Sequence, residues 1–151
     1  MLHAEHTFRL PVPPAEAFAL LGDPSRDDEW QSSVIRSRLL DPGPAPGSRY
    51  EIAFHMLGQD LEFVAEITAF EPGVRSGYRT VSGPFSYEGG YTYAAADDGG
   101  TDVAWHFAVD PGRFFGLLPA SFMRWVLISQ VEKDAHGLAE RLAADQGTAH
   151  V

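Results

Sequence analysis

The chain has 151 residues, 44% hydrophobic and 12% aromatic, which suits one folded domain with a sizeable core and excludes intrinsic disorder. Its 21 acidic and 11 basic residues leave a formal charge of −10, which argues against nucleic acid and anionic membrane surfaces, both of which need a basic footprint. The absence of cysteine excludes disulfides, thiolate chemistry and cysteine metal sites.

The opening MLHAEHTFRL carries no basic segment followed by an apolar one, and no stretch reaches the ~18 apolar residues of a membrane span. A cytoplasmic protein without membrane insertion is expected. Leu2 to Leu10 alternates loosely and suits an edge strand. A short helix follows, with Pro14 in its first turn, Ala17, Phe18, Leu20 and Leu21 on its apolar face and Gly22 at its end. Asp23-Pro24-Ser25 opens a second short helical or turn segment leading to Trp30. Its acids Asp27, Asp28 and Glu29 are expected to form a solvated acidic turn, where carboxylates suit the start of a helix.

Strand signals then recur: Ser33 to Leu40, Arg49 to Leu57, Asp60 to Phe70, Val74 to Ser82, Phe85 to Ala96 and Thr101 to Val109. A Pro- and Gly-rich loop, DPGPAPGS, separates the first two. Turns are expected at Gly58-Gln59, Glu71-Pro72-Gly73, Ser82-Gly83-Pro84 and Asp97-Asp98-Gly99-Gly100, and Asp110-Pro111-Gly112 closes the sheet. Pro119 to Ala144 reads as one long helix of about 26 residues, or roughly 40 Å. Ile128, Val131, Ala135, Leu138 and Leu142 form one apolar stripe, with Glu132, Lys133, Asp134, Glu140 and Arg141 away from it. Phe122 to Leu127 is apolar nearly all round, broken by Arg124, and so is expected to be covered on more than one side. The fold class is α+β: a curved antiparallel sheet of about seven strands around a long C-terminal helix, with two short helices after the first strand. One domain, 1–151, is expected.

This order, with Val12-Pro13-Pro14-Ala15-Glu16-Ala17-Phe18, the Asp23 to Trp30 segment, Pro46-Gly47-Ser48-Arg49-Tyr50, Glu66-Ile67-Thr68-Ala69-Phe70-Glu71-Pro72-Gly73 and Gly100-Thr101-Asp102-Val103-Ala104-Trp105, resembles the START-like, helix-grip superfamily, also called SRPBCC. The likeness is greatest to its polyketide cyclase/dehydrase-like branch, with a group of carbon-monoxide dehydrogenase maturation proteins nearby, and it runs from about Phe8 to Leu142. It implies a cavity between the concave sheet and the final helix. It does not choose among the lipid carriers, cyclases and ligand binders that share the fold.

The residues that would line such a cavity are Trp30, Tyr50, Ile52, Phe54, Phe63, Tyr78, Phe85, Tyr87, Tyr91, Tyr93, Trp105, Phe107, Phe122, Trp125 and Val126. The same residues could instead fill a solid core. The phenols of Tyr87, Tyr91 and Tyr93 on one inward face favour a pocket, because buried hydroxyls need partners. Gly89 and Gly90 in that strand mark a bulge or a close approach to the backbone.

Catalytic candidates are few. Tyr87 and Tyr91 would donate hydrogen bonds, and Arg79, if it points inward, would stabilise an enolate. The alternative for Arg79 is a surface arginine. The six histidines, His3, His6, His55, His106, His136 and His150, show no ligand spacing, and His55 and His106 read as solvent-facing. No metal and no cofactor are expected. The expected function is binding of a small hydrophobic or aromatic, lipid- or polyketide-like molecule, with turnover as a cyclase/dehydrase less supported than binding. The alternative is a non-catalytic partner-binding or maturation module resembling the carbon-monoxide dehydrogenase group, with a protein partner or second copy docking on Phe114-Phe115-Gly116-Leu117-Leu118 and Phe122–Leu127.

Overall fold

The structure, a computed structural model, describes residues 1–110, 112 and 118–149. Pro111 and the apolar run Phe114 to Leu117 lie outside the described residues. Seven strands, β1 (Leu2–Leu10), β2 (Val34–Leu39), β3 (Arg49–Met56), β4 (Gln59–Glu71), β5 (Arg75–Ser82), β6 (Ser86–Ala95) and β7 (Thr101–Asp110), form one antiparallel sheet in the order β1-β7-β6-β5-β4-β3-β2. The six strands after the first make a meander, and β1 closes onto β7 from Leu2↔Val109 to Leu10↔Thr101. A helix α1 (Pro14–Leu21) and a 3₁₀ helix (Pro24–Glu29) follow β1, and the long helix α2 (Ala120–Ala149) ends the chain. The fold is the START-like helix grip.

The strand ends fall within one residue of the sequence reading, and two differences have a structural consequence. The β3–β4 hairpin turns on Leu57-Gly58, not Gly58-Gln59, because Met56 pairs with Gln59. Both turn residues have positive φ, 50° and 78°, as a two-residue turn matching the strand twist requires. The last helix runs on to Ala149, five residues past the expected end.

The sheet curves because its ladder slips. Register shifts fall between Val34 and Arg36, between Val64 and Ala65, and between Ile67 and Ala69, and such bulges bend a strand and increase its twist. Gly89 and Gly90 mark a close approach, as their bareness suggested. A Cβ on Gly89 would lie 2.7 Å from the Tyr78 hydroxyl, and one on Gly90 would lie 2.3 Å from the Ser76 carbonyl. The Tyr78 side chain thus lies across β6, within 3.4 Å of the Trp105 indole NH on β7.

The concave face holds two apolar clusters bridged by α2. One joins Phe18, Leu21, Trp30, Tyr91, Tyr93 and Trp105 to Leu138; the other joins Tyr50, Ile52, Phe63, Tyr87 and Val109 to Met123. Polar ties hold α2 in place: Arg124 Nε donates to the His3 carbonyl (2.8 Å), and Arg141 donates to the Glu29 carbonyl at the end of the 3₁₀ helix (2.8 Å). The start of α2 is less covered than its composition implied. Met123 is buried, but Phe122 and Trp125 keep 43% and 62% of their surface.

Candidate functional site

Between the two clusters the sheet and α2 do not close completely. They leave a cavity of about 250 Å³, near the small end of ligand pockets, which span roughly 300–1,000 Å³. Trp30, the residue that follows the 3₁₀ helix, lines it. Strands β3 and β4 contribute Tyr50, Ile52, Phe54 and Phe63, and the β5–β6 region contributes Tyr78, Phe85, Tyr87 and Tyr91. Trp105 and Phe107 come from β7, and Phe122 and Val126 from α2. Leu57, Leu118 and Phe122, exposed apolar residues, also line it, and give its mouth an apolar lip.

Three expected site residues are elsewhere. Tyr93 lies outside the cavity: its ring packs edge-on against Phe18 (centroids 5.5 Å) and its hydroxyl is 2.8 Å from Ser76 Oγ. It shares the face of Tyr91, but α1 covers that end of the sheet. Trp125 stands outside the cavity beside Phe122, with ring centroids 6.1 Å apart. Arg79 points outward and pairs with Glu66 across the β4–β5 ladder, so it is not available to an enolate inside. His55 sits near the mouth, its Nδ1 2.7 Å from Asp60.

The rings are packed tightly, and their polar atoms are not all used. Tyr87 is edge-on to Phe54, Phe63 and Tyr78 and stacked on Phe107 (centroids 5.4 Å). Tyr78 takes the Trp105 bond. By contrast, the hydroxyls of Tyr50, Tyr87 and Tyr91 find no hydrogen-bond partner among the described residues, although these residues are 2%, 6% and 4% exposed. The Trp30 indole NH is buried and likewise unpartnered. Burial raises the pKa of Tyr50, Tyr78, Tyr87 and Tyr91, with neighbouring phenols and Asp27 adding to it. They therefore stay protonated donors at working pH. The hydroxyls of Tyr50, Tyr87 and Tyr91 are not among the buried unpartnered atoms; on residues that line the cavity, they are donors open to a ligand oxygen.

Two acids whose sequence positions disguised them also belong to the site. Asp27 is not in a solvated turn: it lines the cavity. In a 3₁₀ helix, residues three apart eclipse, so Pro24 and Trp30, both buried, carry Asp27 on their face. That spacing was the signal, and it is readable only if the segment is known to be 3₁₀. The residue keeps partial exposure, while its carboxyl is desolvated, and this, with Asp23 and Asp28 nearby, holds its pKa well above the ordinary 3.8. Asp134, expected on the outer face of α2, is buried. It accepts from Ser32 N (3.2 Å), Ser32 Oγ (2.8 Å) and Gln130 Nε2 (3.1 Å).

Asp27 gives a stability prediction. Its proton is held more tightly folded than unfolded, so its contribution is intact below about 3.8 and is lost as pH rises through the raised folded value. The charged and titratable groups around it are Asp23, Asp28 and the five tyrosines 50, 78, 87, 91 and 93. Asp27→Leu should therefore stabilise the empty protein by about 1–3 kcal/mol at pH 7.5, the cost of a buried unsatisfied group. The gain should shrink towards pH 4. Urea unfolding at both pH values checks this; a gain that grows on acidification would refute it.

A curved seven-stranded sheet gripping a C-terminal helix over an apolar cavity defines the START-like class of ligand-binding folds. The chain belongs to the polyketide cyclase/dehydrase and lipid transport family, whose profile matches residues 1–143. No curated protein matches it significantly. Among solved structures, a Thermus thermophilus protein superposes with TM-score 0.78 at 20% identity, covering 95% of this chain and 98% of that one. A START superfamily protein from Mycobacterium smegmatis gives 0.76 at 12% identity (94% and 99% covered). The ZhuI aromatase/cyclase from a Streptomyces species gives 0.66 at 19% identity (98% and 93% covered). At these identities the likeness establishes the fold; the family supports a ligand-binding role. No helix among the described residues is long and apolar enough to cross a membrane.

Proposed function

We propose that the chain binds a small, largely apolar molecule, aromatic, polyketide-like or lipid-like, between its sheet and α2. The observation that carries this reading is a cavity whose apolar wall holds three phenols, Tyr50, Tyr87 and Tyr91, without partners among the described residues. About 250 Å³ suits a compact one- or two-ring molecule better than a long chain. Native mass spectrometry of protein purified from its own host, followed by extraction under denaturing conditions, tests it. A co-purifying oxygen-bearing aromatic or lipid is expected. An empty monomer that also takes up no small aromatic probe would overturn it.

The phenols make a sharper prediction. Their hydroxyls bond no described residue and are not buried unpartnered atoms, so Tyr87→Phe and Tyr91→Phe should leave stability within about 0.5 kcal/mol of wild type. Affinity for an oxygen-bearing ligand should fall about 2–10-fold in each, the weight of one hydrogen bond. If the ligand is also turned over, as in a cyclase or dehydrase, these two phenols would be candidate donors to a developing enolate oxygen. Unchanged affinity and turnover in both variants would remove them from the site.

A second reading, a partner-binding or maturation module, draws on Leu118, Phe122 and Trp125, exposed by 40%, 43% and 62%. Exposed apolar groups of this size mark contact surfaces. Phe122 and Leu118 also line the cavity, which suits a mouth as well as a dock. A second polypeptide co-purifying in place of a small molecule would favour this reading.

A further inference from the structure

We propose that the cavity selects an aromatic molecule carrying a protonated amine, with Asp27 as the counter-ion, and rejects molecules carrying a carboxylate. The inference rests on the ligand-binding reading above and specifies the chemistry of that ligand.

The described lining residues include no lysine and no arginine; its acids are Asp27 and Asp134. Asp134 is already occupied by Ser32 and Gln130, whereas Asp27 has no side-chain hydrogen bond and no ion pair among the described residues. A carboxyl in an apolar enclosure without a partner is costly when charged. An opposite charge within about 4–6 Å restores the ionised form; the one histidine of the described wall, His55, is engaged by Asp60 (2.7 Å), and no lysine or arginine lines it. A ligand ammonium would supply that charge. Asp23, which caps the 3₁₀ helix, and Asp28 within it add negative potential near Asp27.

The rings nearby suit the same charge. Trp30 and Tyr91, with centroids 6.2 Å apart and planes at 60°, stand in the Asp27 wall, and the face of an aromatic ring attracts a cation within about 6 Å. A carboxylate entering the same space would meet Asp27 without any cation to offset it. The net charge of −10 acts in the same direction at longer range.

Three probes of one shape separate the outcomes: 2-(2-naphthyl)ethylamine, 2-(2-naphthyl)ethanol and 2-naphthylacetate, titrated calorimetrically into the wild-type protein at pH 7.5. The amine is expected to bind about tenfold or more tighter than the alcohol, the scale of a charge-assisted hydrogen bond, and the carboxylate weakest. In Asp27→Asn the amine should fall to the level of the alcohol while the alcohol is little changed. An alcohol that binds as tightly as the amine to wild type overturns the inference and leaves the cavity reading standing. So does an amine preference that survives in Asp27→Asn. Failure of all three probes overturns both. The wild-type ranking needs no variant to fold.

Discussion

Gly90→Val is expected to leave no folded protein at 25 °C, and Gly90→Ala to cost about 3 kcal/mol. The added Cβ would sit 2.3 Å from the Ser76 carbonyl, 3.1 Å from the Gly77 Cα and 3.2 Å from a His106 ring carbon. Two of those three atoms are backbone in the neighbouring strand β5, so relief requires moving β5 away from β6. Replacing a glycine also restricts the unfolded chain, a gain of only about 0.4–1 kcal/mol. Overpacking a tight interior costs about 1–3 kcal/mol or more, so the steric effect wins. Urea unfolding followed by far-UV circular dichroism measures it. An alanine variant within 0.5 kcal/mol of wild type would mean that the strands can separate there without loss.

The second large effect is expected at Asp134. Asp134→Ala removes one acceptor from three donors at once, two on Ser32 and one on Gln130. Gln130 Nε2 also reaches Ser32 Oγ, at 2.6 Å, so that pair survives in part. The Ser32 backbone NH loses its acceptor. Losing hydrogen bonds to a buried acid, at about 1.5–3 kcal/mol for a charged acceptor, predicts a cost of about 3 kcal/mol. Asp134→Asn keeps one oxygen and should cost less than half of that. Ser32 lies two residues after Trp30, so the same change should loosen the wall that carries Asp27 and Trp30. Weaker probe binding is expected beyond what unfolding explains. Full stability in Asp134→Ala would show that the Ser32 contact does not anchor this segment to the helix.

Both effects concern residues whose importance was only half visible in the sequence. Gly89 and Gly90 stood out as bare positions in an aromatic strand, but the atoms approaching them lie in β5 and β7, which the strand itself does not name. Asp134 sits three residues after Val131 and four before Leu138. A helical wheel places it at the edge of the apolar stripe, and its charge alone assigned it outward. Its burial follows from Ser32, about a hundred residues earlier, which offers it two donors.

The elements themselves were legible because they depend on local physics. Alternation marks the strands, Gly and Asp mark their turns, and Pro14 and Gly22 bound α1 as observed. The order of β2 to β7 follows, since consecutive antiparallel strands have little choice of neighbour; the closing of β1 onto β7 does not follow from a hairpin. Most aromatics expected in the cavity line it, because period-two alternation assigns a face without any knowledge of the partner. Alternation says which face a residue occupies and nothing about what covers that face. Tyr93 shares its face with Tyr87 and Tyr91, yet α1 buries it and Ser76 takes its hydroxyl.

Tertiary structure alone decided the rest. That the sheet and α2 leave about 250 Å³ open depends on the summed volumes of some two dozen side chains and on three register slips. That Arg79 faces Glu66 depends on the β4–β5 register. That Asp27 turns inward depends on a 3₁₀ pitch that puts it on the face of Trp30. Composition and periodicity specify which surfaces must be buried. The closeness of their fit, and so the space left for a ligand, is a property of the packed chain.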